Sequence, residues 1–229
     1  MKIRQVAVYA LMPGLPGGLV RQGEHPDEAV VRLAGDPVSL DGVHSVSASV
    51  AGDVHTDQIV YRVSGSPPIS PSVLPSPEPV EAVERRVQRF GAYGLVDDPD
   101  GRVLLTQIAP GYPSAGLWHL PGGGTDHGET PEQGLTRELA EETGQHGHIT
   151  GILGTSHRYD PAAMGPEGVP MDWHVIRVVF TVRVDRPTPP EVLDAGGSTS
   201  AAGWFTRTEL SDLPLTEVAR AAVTGLRLP

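Results

Sequence analysis

A chain of 229 residues has room for one domain of about 150 residues and a smaller companion, and its 38% hydrophobic and 20% charged content is that of a globular protein rich in turns, with 28 Gly and 23 Pro. The net charge of -11 argues against a nucleic-acid partner, which needs a basic surface, but leaves a small phosphate ester open because a bound cation can supply positive charge locally. The absence of cysteine excludes disulfides, thiolate nucleophiles and Cys-ligated zinc, and fits a reducing compartment.

Residues 1–10 form a short apolar stretch that gives way to Pro13, Gly14 and Pro16, too short for a signal-peptide core. Nothing downstream reaches the ~18 uninterrupted apolar residues of a membrane span, so a cytoplasmic protein with no membrane contact is expected. Residues 1–10 and 58–63 read as strands. Pro and Ser crowd residues 64–79, which read as a linker. Beyond it, residues 80–89 have helical composition, and 91–96 and 102–108 read as strands joined by the turn cluster Asp97, Asp98, Pro99, Asp100 and Gly101.

A further loop and a short strand at 117–120 lead into glycines, and then to a helix over 131–142. Its start is signed by Thr130 as N-cap, Pro131 at the first helical position and Gln133 completing a capping box, and Gly144 supplies the stop. Residues 149–154 and 174–184 read as strands around a loop rich in Gly and Pro, the second strand largely buried with polar ends. A last strand near Trp204 and a helix from about Thr216 finish the chain.

The chemistry concentrates in the segment GGTDHGETPEQGLTRELAEETG. Glu138 lies three residues before Glu141 and four before Glu142, so the carboxylates share one helix face and Leu135 and Leu139 another. Such like-charge pairs cost a helix roughly 0.2–0.5 kcal/mol each. A hard cation reverses that sign, since magnesium takes oxygen ligands and a Gly-rich turn lets backbone groups approach a phosphate or metal. A solvated acidic face is the plainer alternative for the same residues.

The segment resembles the Nudix box: Gly, five residues, Glu, seven residues, Arg-Glu, an aliphatic residue, any residue, Glu-Glu, any residue, Gly. Gly123, Glu129, Arg137, Glu138, Glu141, Glu142 and Gly144 meet every one of these fixed positions. One departure is Gln145, where the family usually has an aliphatic residue, and a packing change with retained chemistry is expected there. The resemblance covers about residue 90 to the Trp204 strand and implies an α/β fold, a Nudix-type α/β/α sandwich around a mixed sheet.

It further implies that Glu141, Glu142 and the Gly123 carbonyl hold Mg2+, with Mn2+ as an alternative, that Glu138 is a ligand or the general base, and that Glu129 and Arg137 hold loop and helix in register. The implied activity is metal-dependent hydrolysis of a diphosphate linkage in a small nucleotide: ADP-ribose-like, a nucleotide sugar or a nucleoside triphosphate. A nucleotide-sensing module without catalysis is the alternative, disfavoured by the intact carboxylates. An isoprenoid-diphosphate isomerase is disfavoured by the missing cysteine, and messenger decapping by the negative charge.

Substrate choice is expected outside the box, in residues 156–172. There Arg158 is placed to meet a phosphate, Tyr159 to stack on a base, and Asp160 or Glu167 to add a ligand or base; a polar surface loop is the plainer alternative. Pro161, sixteen residues past Gln145, resembles a feature of ADP-ribose-cleaving members. His127 reads as a solvated loop residue.

A shift of 105 lays residues 15–32 over residues 120–137 without a gap. Leu15, Pro16, Gly17, Gly18, Gly23, Glu24, Pro26 and Arg32 match their counterparts, eight of eighteen positions where chance predicts about one. Leu33, Asp36 and Pro37 stand where the second copy has Glu138, Glu141 and Glu142, so the first segment resembles a Nudix remnant without the metal site. The expected organisation is a degenerate segment (1–63), a linker (64–79) and a catalytic domain (80–229), with the first segment packed on the catalytic domain or on a second copy in a homodimer.

Overall fold

The computed structural model describes residues 3–12, 15, 17–34, 38–65, 86–164, 170–194 and 196–225. Most of the expected linker therefore lies outside the described residues, although Ser64 and Gly65 end a strand. The chain divides into two compact units: Met1–Phe90 with His157–Ile176, and Gly91–Ser156 with Arg177–Pro229.

In the first unit, β1 (Ile3–Ala10), β2 (Gly18–Leu19), β3 (Val38–Ala51) and β4 (Val54–Gly65) form a sheet in the order β2-β1-β4-β3, with α1 (Pro26–Ala34) between β2 and β3 in the chain. β1 and β4 run parallel, whereas β3 pairs β4 antiparallel, so the sheet is mixed. Val6, Val8 and Ile59 are fully buried in it.

The remaining strands are β5 (Arg86–Asp97), β6 (Val103–Ile108), β7 (Trp118–His119), β8 (Gly122–Gly124), β9 (His148–Met164), β10 (Pro170–Arg183) and β11 (Thr199–Phe205). Their order is β11-β6-β5-β10-β9, with β7 on β6 and β8 on β5. The run β8-β5-β10-β9 thus has the same chain logic as β2-β1-β4-β3. Helix α2 (Pro131–Thr143) follows β8 as α1 follows β2, and α3 (Glu217–Thr224) ends the described chain.

Alternation along a strand places α2 and α3 on opposite faces of the second unit's sheet. Gly94 faces Leu135 of α2 and Val182. Its neighbour Leu95 joins Val179, Val218, Ala219 and Ala222 in the cluster around α3. The expected α/β architecture is present.

Two local expectations are corrected. Arg86, Val87, Gln88 and Arg89 open β5 and are not helical. Residues 156–164 and 170–172 are not loop but the facing ends of β9 and β10, whose burial pattern is eased by partner strands and not by local composition. Glu167 lies outside the described residues.

Candidate active site

Helix α2 begins as its sequence dictates. The Thr130 hydroxyl accepts from the Gln133 N–H, and the Gln133 side chain accepts from the Thr130 N–H at 2.8 Å. It ends at Gly144, whose φ of 65° is left-handed and whose N–H reaches the Ala140 carbonyl. Leu135 and Leu139 are buried, which turns Glu138, Glu141 and Arg137 toward the loop that feeds the helix.

That loop comes very close to the helix and to β5. A Cβ on Gly122 would sit 2.3 Å from the Ala92 carbonyl oxygen, and its φ is +134°, so only glycine fits. A Cβ on Gly123 would lie 2.7 Å from the Glu138 carboxylate. Arg137 fastens the arrangement: its Nε and Nη2 donate to the two Glu129 oxygens at 3.0 Å, and Nη2 also donates to the Gly124 carbonyl at 3.0 Å. Its Nη1 donates to Glu138 at 2.8 Å and to Glu141 at 3.0 Å.

Glu142 is 6% exposed and has no cation beside it among the described residues. Its Oε2 accepts from the Gly122 N–H at 2.9 Å and its Oε1 from the Thr199 hydroxyl. Burial pushes its pKa up to about 7 against those two bonds, with Glu138 and Asp194 adding to the rise. Burial also raises Glu138, which Arg137 partly offsets. Among the described residues no three carboxylate or imidazole groups converge as a ready cation cage, because Arg137 draws off Glu138 and Glu141 while Glu142 turns to Gly122 and Thr199. The donor chemistry still suits a hard cation: three carboxylates and a backbone carbonyl, all oxygen, with repulsion that a divalent ion would relieve.

The structure thus brings together Gly123, Glu129, Arg137, Glu138, Glu141 and Glu142 in the second unit. Arg158, Tyr159 and Asp160 belong to the first unit. There the Arg158 guanidinium lies 5.9 Å over the Trp173 ring, Tyr159 packs on Gly23 and stands edge-on to His174, and Asp160 accepts from the Ala162 N–H. Sequence reasoning missed Thr199, Asp194, Tyr93, His119 and Arg177, which sit on strands or loops far along the chain and carry no local motif.

The first unit repeats the loop clamp, residue for residue at a shift of 105. Arg32 Nε donates to Glu24 at 2.6 Å, Arg32 Nη2 reaches the Leu19 carbonyl at 3.0 Å, and Glu24 accepts from the Arg21 N–H at 2.9 Å. The counterparts are Arg137 to Glu129, Arg137 to Gly124, and Asp126 to Glu129. Where Gly123 faces Glu138, Gly18 faces Leu33, at 2.8 Å from an added Cβ. An apolar plug fills the position of the carboxylate.

The expected packing change at Gln145 is also visible. The side chain is 2% exposed, donates to Thr188 Oγ1 at 2.8 Å and accepts from the Thr188 N–H at 3.0 Å, so a polar clamp stands in for aliphatic packing.

A family model described as NUDIX domain matches residues 87–225. A MutT-like protein of Streptomyces ambofaciens is 30% identical over 136 residues, 59% of this chain and 75% of that protein. An ADP-ribose pyrophosphatase of Methanocaldococcus jannaschii is 32% identical, over 53% of this chain and 62% of its own length. Two further curated matches span only 38–39% of the relative's length. A solved MutT NUDIX hydrolase from Burkholderia pseudomallei is 29% identical with a TM-score of 0.48, over 62% of this chain and 99% of that one.

Proposed function

Since the chain belongs to the NUDIX domain family, we propose that it hydrolyses a diphosphate linkage in a small nucleoside diphosphate derivative, using a divalent cation. The observation that carries this reading is Glu142, a buried carboxylate without a cation partner beside Glu138 and Glu141. Burying such a group costs several kcal/mol unless its charge is met, by the general scale for ions in low dielectric. A folding role alone gives no reason to keep it.

Glu141, Glu142 and the Gly123 carbonyl would hold the cation, Mg2+ or Mn2+. When bound, it supplies positive charge to the diphosphate oxygens. The Glu129–Arg137 clamp fixes the loop against the helix, so the Gly123 carbonyl and the carboxylates keep one geometry through a turnover. Glu138 takes the proton of the attacking water, because Glu141 and Glu142 would be committed to the cation and burial raises the Glu138 pKa. Water attacks one phosphorus and the other phosphate leaves, with no covalent intermediate on the protein.

The names of the relatives point to more than one substrate, 8-oxo-dGTP in one case and ADP-ribose in another. A panel of ADP-ribose, nucleotide sugars, dinucleoside polyphosphates and nucleoside triphosphates, assayed with Mg2+ and after chelation, tests the reading. Turnover of at least one member that stops on chelation and returns with metal is expected. Tight binding of one compound with no turnover under any metal would replace the hydrolase with a sensor.

The first unit fits a decayed copy of the catalytic one. Its shared strand order, its conserved Glu24–Arg32 clamp and the Leu33 plug support that reading.

A further inference from the structure

Strand β10 carries a cation, Arg177, that has no counter-charge among the described residues. Arg4, Arg32, Arg102, Arg137 and Arg207 each sit in an ion pair. Arg177 has no carboxylate partner among the described residues, in a chain with 28 acidic and 17 basic side chains. Its Nε is buried with no hydrogen-bond partner, a condition shared among the described residues only by Ser156 Oγ.

Its surroundings tie it to the catalytic carboxylates. The guanidinium lies 5.9 Å over the Tyr93 ring and beside the Tyr93 hydroxyl. Tyr93 is the register partner of Gly122, whose N–H donates to Glu142, and a Cβ on Gly91 would lie 3.1 Å from the Tyr93 ring and 2.9 Å from the Gly123 carbonyl oxygen, so the ring borders the loop that faces the carboxylates. His119 packs 5.0 Å from Tyr93 and is bonded through Nδ1 to Thr216 Oγ1 at 2.6 Å. Burial and Arg177 hold His119 neutral, with a pKa down to about 3, so it adds no charge to this wall.

A guanidinium with a buried, unmet N–H costs stability, and the Tyr93 ring and hydroxyl offset only part of it, since Nε still has no partner. An anion arriving at the site would. The planar fork of an arginine matches two phosphate oxygens, a geometry that lysine cannot reproduce. We propose that Arg177 is the phosphate-binding residue of this active site, holding non-bridging oxygens of the substrate diphosphate against the wall formed by Tyr93 and His119. The inference rests on the diphosphate-hydrolase reading, and it assigns the substrate's anionic group to β10 while cation binding stays with α2.

Inorganic diphosphate, titrated calorimetrically into the metal-free full-length protein, is the direct probe, because it does not need turnover. Wild type is expected to bind it, and Arg177→Gln to bind about ten- to a hundredfold more weakly, the usual worth of hydrogen bonds to a charged group. Arg177→Lys should recover part of the loss. Melting of Arg177→Gln should be unchanged or higher than wild type, since an unmet buried group is removed; in turnover, KM should rise more than kcat falls. No diphosphate binding by wild type, wild-type affinity in Arg177→Gln, or a lower melting temperature in both variants would each overturn the assignment. The two readings part cleanly: Arg177-dependent binding in a protein that cleaves nothing keeps the subsite and sinks the hydrolase, whereas turnover with an unchanged KM in Arg177→Gln does the reverse.

Discussion

His174 is fully buried in the first unit, and its Nδ1 accepts from the Gly23 N–H at 3.2 Å. That bond places the ring proton on Nε2, which faces His157 Nδ1 at 3.2 Å. Burial first, then the neighbouring His157 and His25, push its pKa down to about 4 from 6.5, against the opposing pull of Asp172 and Glu24. The unfolded chain therefore binds the proton first on acidification. Stability from this site is fully present above pH 6.5 and is lost as pH falls toward about 4. His174→Gln keeps an acceptor for Gly23 and removes the titration. Melting temperatures between pH 7.5 and 4.5 should fall less steeply in the variant, by something on the order of 5 °C across the range. Superimposable slopes would contradict the account. None of this was legible in the sequence, where His174 is one of nine histidines in the chain and carries no local motif. Glu138, Glu141 and Glu142 were legible because their spacing and the Gly-rich turn lie within one short segment; Thr199 and Asp194, which act on Glu142, were not, because proximity across the fold leaves no local mark.

At the scale of elements, α2 could be read to within a residue because capping box, Pro131 and Gly144 are all local signals. β9 and β10 could not be followed to their ends, since the polar residues there are strand only by virtue of their partners. The repeat of the loop and helix was visible in identities at Gly18, Glu24 and Arg32, and the geometry of the two clamps agrees with it. What the sequence did not disclose is the work of the loop in the first unit. Gln22 donates to the Asp172 carbonyl and carboxylate, both at 3.0 Å, Gly23 donates to His174, and the Val6 N–H donates to Gln88 at 3.1 Å. Deleting residues 1–63 breaks these bonds and uncovers Asp172 and His174, so the truncated chain should melt about 5–10 °C lower. An unchanged melting temperature would dispose of the packing role.

Across the whole molecule, a linear division into segment, linker and domain captures the order of the chain but not how the first unit is assembled, because residues 86–90 and 157–176 return to it from far along the sequence. Arg158 and Tyr159, expected to meet substrate because they lie outside the box, belong to the first unit, where they pack on Trp173, Gly23 and His174. The acidic balance of -11 is compatible with the proposed phosphate chemistry, in which a bound cation and not a basic surface meets the substrate charge. The proposed chemistry centres on Glu142, the buried carboxylate of α2. The most direct test is the Mg2+-dependent kcat/KM for whichever diphosphate substrate the protein prefers, in wild type and in Glu142→Gln. A loss of about a hundredfold or more in a variant that folds normally is the expected result; turnover in Glu142→Gln equal to wild type would contradict the account at its centre.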